Sequence, residues 1–118
     1  MAEVNTKMSY NLEEDILVLS KNRKIKASID LGDFVIDVDS SGFIVGIEIL
    51  NASLNLGLTE KQLVNLKQAA MNVVYKPNYV HISILMQFGS QEKDIHIPLT
   101  IDLGHGVVTT EKTNFAIV

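Results

Sequence analysis

The stretch Asp37-Val-Asp-Ser-Ser-Gly-Phe-Ile-Val-Gly-Ile-Glu-Ile-Leu50 admits two incompatible readings, a calcium loop or two strands joined by a tight turn, and the choice decides the fold. Asp37, Asp39, Ser41, Gly42, the carbonyl of Phe43 and Glu48 fall at positions 1, 3, 5, 6, 7 and 12 of the EF-hand pattern, with Ile44 at the apolar eighth place. An EF-hand needs a helix on each side. The flanking apolar residues instead recur at every second position: Phe34, Ile36 and Val38, then Phe43, Val45, Ile47 and Ile49. A loop with an even number of residues sets Val38 against Phe43, Ile36 against Val45 and Phe34 against Ile47, all on one face. A slip of one residue turns that set to the other side. Seven apolar side chains, at about 1.5 to 3 kcal/mol each when buried, outweigh a turn preference, so the hairpin is the expected structure. Glu48 then stands about 16 Å along the strand from the turn, too far to close on Asp37 and Asp39. Those two carboxylates near the turn are the remaining candidate for a weakly held Ca²⁺ or Mg²⁺.

Working outward, residues 7–10 and 16–19 read as short strands around the acidic turn Glu13-Glu14-Asp15, and Lys21-Asn22-Arg23-Lys24 turns the chain into residues 25–31. On the other side, Thr59-Glu60-Lys61-Gln62 is a capping box, with Leu58 and Leu63 placed as a hydrophobic staple. Leu63, Leu66, Ala70, Val73 and Val74 continue at helical spacing, which predicts one amphipathic helix over residues 59–74, ending before Lys76-Pro77-Asn78. A second hairpin follows. Val80, Ile82, Ile84, Met86 and Phe88 alternate with polar residues, as do Ile95, Ile97, Leu99 and Ile101. Pairing Phe88 with Lys93 sets Met86 against Ile95, Ile84 against Ile97, Ile82 against Leu99 and Val80 against Ile101. Pro98 has no amide to donate, so its strand is expected at a sheet edge, or with that missing donor turned outward. Residues 107–110 and 115–118 can add a short strand and an apolar tail.

The chain has 118 residues, 47% of them hydrophobic, enough for one core and too few for two, so residues 1–118 should form a single domain. A net charge of -4 disfavours nucleic acid as a partner. With no cysteine there is no disulfide framework, thiolate metal site or thiol nucleophile, and a reducing compartment, the cytoplasm, is expected. No apolar run reaches the roughly 20 residues of a membrane helix, and residues 1–8 lack the apolar segment of a signal peptide.

The other chemistry-bearing residues read as structural. On the hairpin register above, His81 faces Thr100 and His96 faces Leu85, about 13 Å apart along the strand and beyond shared ligation of one metal. His105 sits in a glycine turn. Lys21, Arg23, Lys24 and Lys26 have no interleaved aromatic residue and read as a solvated turn. No nucleophile elbow, phosphate loop, dinucleotide fingerprint or metalloprotease motif occurs, so no catalytic residue or cofactor is assigned.

Tyr10-Asn11, then Asp15-Ile-Leu-Val-Leu19, then the run from Phe34 through Gly46-Ile-Glu-Ile-Leu50 to Ser53 resembles a family of small prokaryotic proteins known only as a domain of unknown function. The likeness covers residues 8–55. Asn11 stands where the family's first pair usually has Asp, and Ser41 where its turn often has an acid. The resemblance implies a β-rich fold without established activity, and an antitoxin-like role by analogy with relatives that look like partners in two-gene systems.

Together these features predict an α+β domain in two layers: an antiparallel meander over residues 7–50, one helix over 59–74 and a second hairpin over 79–101. Open sheet edges and the apolar end Phe115-Ala-Ile-Val118 point to a non-catalytic interaction module, with a homodimer as the favoured partner arrangement.

Overall fold

The computed structural model, which describes residues 6–117, folds the stretch around Asp39 as a hairpin. β1 (Lys7–Asn11), β2 (Ile16–Ser20), β3 (Ala27–Leu31), β4 (Phe34–Val38) and β5 (Ile44–Ile49) precede two five-residue helices, α1 (Ala52–Leu56) and α2 (Glu60–Val64). β6 (Gln68–Lys76), β7 (Tyr79–Phe88), β8 (Gln91–Leu99) and β9 (Thr109–Ala116) complete the chain. The class is α+β, dominated by two antiparallel sheets.

The first sheet has the order β1-β2-β5-β4-β3, which departs from the expected meander because β2 pairs with β5 and not with β3. Apolar content explains the order. β5 is buried along nearly its whole length and takes the centre, where Leu17 faces Ile49 and Leu19 faces Ile47. β3 is exposed on both sides except at Ile29, and it takes the edge.

Within the β4–β5 hairpin the register differs from expectation by two residues: Phe34 pairs with Ile49 and Ile36 with Ile47. A shift of two keeps every side chain on its face. A bulge then adds Val45 to β5, so that Ile44 and not Val45 opposes Val38 and joins the core.

The expected helix over residues 59–74 is corrected to a single turn followed by a strand. Its start is as read: the hydroxyl of Thr59 accepts from the amide of Gln62, whose side chain accepts from the amide of Thr59. α2 nevertheless ends at Val64, and β6 buries Ala69, Met71, Val73 and Tyr75. This segment carries both a helical and an alternating apolar pattern. Pairing with β7 on one side and β9 on the other, together with the strand preference of Val73, Val74 and Tyr75, settles it as strand.

The second sheet has the order β8-β7-β6-β9, with β8 at an edge as expected from Pro98. Phe88 pairs with Gln91 across the two-residue turn Gly89-Ser90, where Gly89 has φ +65°. Ile84 therefore faces Ile95, Ile82 faces Ile97 and Val80 faces Leu99, again two residues from the expected pairing and on the same face. The end of the chain is used within the molecule through residue 117: Phe115 is buried, the amide of Ile117 donates to the carbonyl of Lys67, and Ile117 forms a parallel bridge with Met8. Val118 lies outside the described residues. The Met8 bridge brings β1 and β9, one edge of each sheet, together.

One continuous cluster of buried residues draws on both sheets and both helices, including Leu17, Ile47, Leu56, Leu63, Val73 and Ile82. Among the described residues no helix is long and apolar enough to cross a membrane. Ile47 is 1% exposed, so Ile47→Asp places an unpaired charge in this cluster. It is expected to lower the thermal midpoint sharply or abolish the cooperative transition, since a cost of several kcal/mol is a large share of the roughly 5–15 kcal/mol that holds a domain together.

Candidate functional site

The turn acids are engaged within the hairpin. Asp37 pairs with Gly46 and its Oδ1 accepts from Ser28 Oγ at 2.6 Å, which ties β4 to the edge strand β3. Asp39 Oδ1 accepts from the amides of Ser41 and Phe43 at 2.9 and 3.0 Å and shapes the turn. Glu48 pairs with Val35, so the two-residue shift makes it a diagonal neighbour of Asp37, closer than the sequence spacing implied. Among the described residues no three His, Cys, Asp or Glu converge on one metal position.

The histidines differ most from expectation. Because the β7–β8 turn has two residues, His81 pairs with Pro98 and His96 with Ser83, which makes the imidazoles diagonal neighbours on the exposed face. His96 Nδ1 lies 3.2 Å from His81 Nε2, and His96 Nε2 lies 3.2 Å from Asp94 Oδ2. The 13 Å separation read from the sequence is therefore corrected; it came from pairing Phe88 with Lys93 instead of Gln91.

A second cluster is buried between the sheets. Lys21, 3% exposed, is no part of a solvated turn: its Nζ contacts Glu111 Oε1 at 2.5 Å. Tyr75, fully buried, accepts the amide of Ile44 at 2.8 Å through its hydroxyl, which also lies 3.4 Å from Glu111 Oε1 as a donor. Phe43 meets the Tyr75 ring edge-on at 5.4 Å, and the His105 ring lies 4.5 Å from that of Tyr75. His105 Nε2 donates to the carbonyl of Gly42 at 2.9 Å. Gly42 has φ +82°, and a Cβ there would come within 2.0 Å of the Leu103 carbonyl oxygen, so two constraints require glycine. Burial pushes the Tyr75 phenol well above its ordinary range; the amide of Ile44 opposes this and the charge of Glu111 adds to it. The sequence signal for this cluster, a lone Tyr in a segment of mixed period and a Lys in a basic run, was too weak to single it out.

A third group contains residues that carried the family resemblance. Tyr10 donates to Asp15 Oδ1 at 2.6 Å, and Ser53 donates its hydroxyl to Asp15 Oδ2 at 2.6 Å and its amide to Oδ1 at 3.1 Å. Asn51, at the N-terminus of α1, makes no side-chain cap, so Asp15 supplies the missing acceptor from the β1–β2 turn. Burial pushes the Asp15 carboxyl upward, but the bonds from the Ser53 hydroxyl, Tyr10 and the Ser53 amide outweigh it and hold the carboxyl below its usual range. This group latches the helix to the first hairpin.

Residues 7–53 match the profile of the family described as "Protein of unknown function (DUF2283)". The match takes in β1 to β5 and the first residues of α1, close to the 8–55 span on which the resemblance rested. Over 51 residues the chain is 47% identical to an uncharacterized protein of Methanocaldococcus jannaschii, a match covering 42% of this chain and 44% of that protein. The matched stretch thus spans less than half the length of that relative. Over 89 residues the chain is 29% identical to a Methanosarcina mazei protein provisionally named hypoxanthine phosphoribosyltransferase, covering 75% of this chain and 72% of that protein. No solved structure matches the chain. The part of the chain similar to that family is thus the first sheet.

Tyr75→Phe removes the acceptor of the buried Ile44 amide and is expected to lower stability by about 1–3 kcal/mol in denaturant unfolding. The folded-state pKa of Tyr75 is raised, so its contribution is complete below the unfolded value near pH 10 and is lost as pH rises beyond it. Wild type should therefore lose stability more steeply than Tyr75→Phe above about pH 10. Asp15 has the opposite sign: its folded pKa is depressed, so its contribution is present above about pH 4 and lost as pH falls further, a slope that Asp15→Asn should flatten.

Proposed function

We propose that the protein is a non-catalytic binding module of the cytoplasm that acts as a homodimer, two copies pairing antiparallel along β3. In this reading the chain is one domain whose two sheets are its two layers. The observation that carries the reading is the fate of the four sheet edges. β1 and β9 meet at the Met8–Ile117 bridge. β8 carries Glu92, Lys93, Asp94 and Pro98, the charges and missing donor that blunt an edge. β3 has neither proline nor bulge and pairs on one side alone.

The sequence of β3 is also self-complementary. With a two-fold axis at Ile29, Ser28 opposes Asp30 of the second copy, and Lys26, at the bend leading into β3, brings a positive charge toward that Asp30. On the other face Leu31 opposes Ala27, with Ile25 just ahead of the strand. Ile25 and Leu31 are 51% and 43% exposed in the single chain, so pairing covers two large apolar side chains as it matches opposite charges.

The name of the Methanosarcina mazei relative suggests a transferase, which asks for a pocket with converging charged groups. A depression of about 450 Å³ on the second sheet, lined by residues that include Gln68, Leu85 and Asn114, has no titratable side chain in its lining, and two of about 430 Å³ beside α2 carry only Lys61 and Lys67, or Glu92 and Lys93. The cation alternative at Asp37 and Asp39 competes with the hydrogen bonds those carboxylates already accept. Movement of the amide resonances of residues 37–42 on adding Ca²⁺ or Mg²⁺ would restore it.

Sedimentation velocity is expected to give a dimer. Asp30→Lys and Lys26→Glu should each weaken it, because each sets like charges across both halves of the symmetric pair. Mixing the two variants should restore dimers, since both contacts are then opposite in sign. A strict monomer at high concentration, or variants that dimerise as well alone as mixed, overturns the proposal.

A further inference from the structure

We propose that His81 and His96 form a two-imidazole chelate for a divalent transition metal, with Zn²⁺ as the probe, on the outer face of the β7–β8 hairpin. The geometry is that of two ligands sharing one ion. Two nitrogens held about 2.0–2.1 Å from one Zn²⁺ at a tetrahedral angle are about 3.3 Å apart. His96 Nδ1 and His81 Nε2 are 3.2 Å apart. The two rings stack 7° from parallel with centroids 5.2 Å apart, and rotation about their Cβ–Cγ bonds turns the two neighbouring nitrogens toward one ion.

Asp94 supplies the second element of such a site. It accepts from His96 Nε2, which places the His96 proton on that nitrogen and leaves the lone pair of Nδ1 turned toward His81. A carboxylate holding the far nitrogen of a ligating histidine is the usual outer shell of a metal-bound imidazole. Without metal the Nε2–H of His81 donates to that Nδ1 lone pair; with the His81 proton on Nδ1 instead, the ion takes the place of this hydrogen bond and both nitrogens are free to ligate it. The side chains of His96 and Asp94 are 53% and 57% exposed, so an ion and its remaining water ligands have access.

The strands hold this arrangement in place. Nine consecutive residue pairs join β7 to β8, and the two-residue turn fixes which diagonal the imidazoles occupy. With two protein donors the affinity should be modest. The chemistry favours Zn²⁺, Ni²⁺ or Cu²⁺ over Ca²⁺ or Mg²⁺, because imidazole nitrogen suits the former and oxygen ligands the latter. The site lies on the second sheet and does not depend on pairing along β3.

The test is titration of the full, tag-free chain with ZnCl₂, followed by calorimetry and by the imidazole resonances in NMR. One Zn²⁺ per chain is expected, with shifts at His81 and His96. His81→Ala or His96→Ala should weaken binding by about tenfold or more, and Asp94→Asn by about 10–100-fold, with unchanged thermal melting in the absence of metal. Asp30→Lys should bind zinc as wild type does, which separates this proposal from the dimer. No heat and no shifts, binding undiminished in both histidine variants, or shifts confined to His105 in the unaltered chain would each overturn it.

Discussion

The contact between Lys21 and Glu111, closed over by Tyr75, couples the two sheets. Lys21 follows β2 in the first sheet, while Glu111 lies on β9 and Tyr75 on β6 in the second. An ammonium buried this far is tolerated because a carboxylate meets it, and removal of one partner from such a pair typically costs about 3–5 kcal/mol. The pair therefore does less to add stability than to permit a single arrangement, the one that brings opposite charges together. Tyr75 extends the constraint by accepting the amide of Ile44 at the start of β5, so the same few atoms hold three strands and the end of β2.

The segment 101–108 and the hairpin turn at Asp39 take their positions from this centre. Phe43 and His105 pack on the Tyr75 ring, and His105 is tied to the carbonyl of Gly42. The backbone of Leu103 then approaches Gly42 closely enough to leave no room for a side chain. What looks in sequence like a calcium-binding turn is thus a packing element: its glycine admits a neighbouring loop, and its acids hold the backbone of the turn and the edge strand.

Around that centre the molecule divides its surfaces unequally. Residues of both sheets make up the core, and one edge of each sheet meets the other at the Met8–Ile117 bridge. The outer face of the second sheet holds the Asp94–His96–His81 chain, where two imidazoles and a carboxylate line up without the desolvation that a core position would impose. Residues of the family resemblance join two elements of the fold. Tyr10 and Asp15, from the first hairpin, tie down the start of α1 through Ser53.

Alternation of apolar residues fixed the face of each strand in both hairpins, and that was legible: Phe34, Ile36, Ile47 and Ile49 point together, as do Ile82, Ile84, Ile95 and Ile97. It could not fix the offset, because sliding one strand by two residues leaves every side chain on the same face. Turn length made that choice, and with it the difference between two distant histidines and two in contact. The capping box at Thr59 was legible for the same local reason, since its hydrogen bonds span three residues. The state of residues 68–76 was not, because Met71, Val73 and Tyr75 fit one period while Ala70, Val73 and Val74 fit another. Sequence alone determined an acidic, cysteine-free chain with alternating strands, a family likeness in its first half and the side of each strand that turns inward. Tertiary structure decided the order of strands and the burial of Lys21, because β2 finds β5 across the intervening hairpin and Lys21 finds Glu111 90 residues away, meetings that no local pattern encodes.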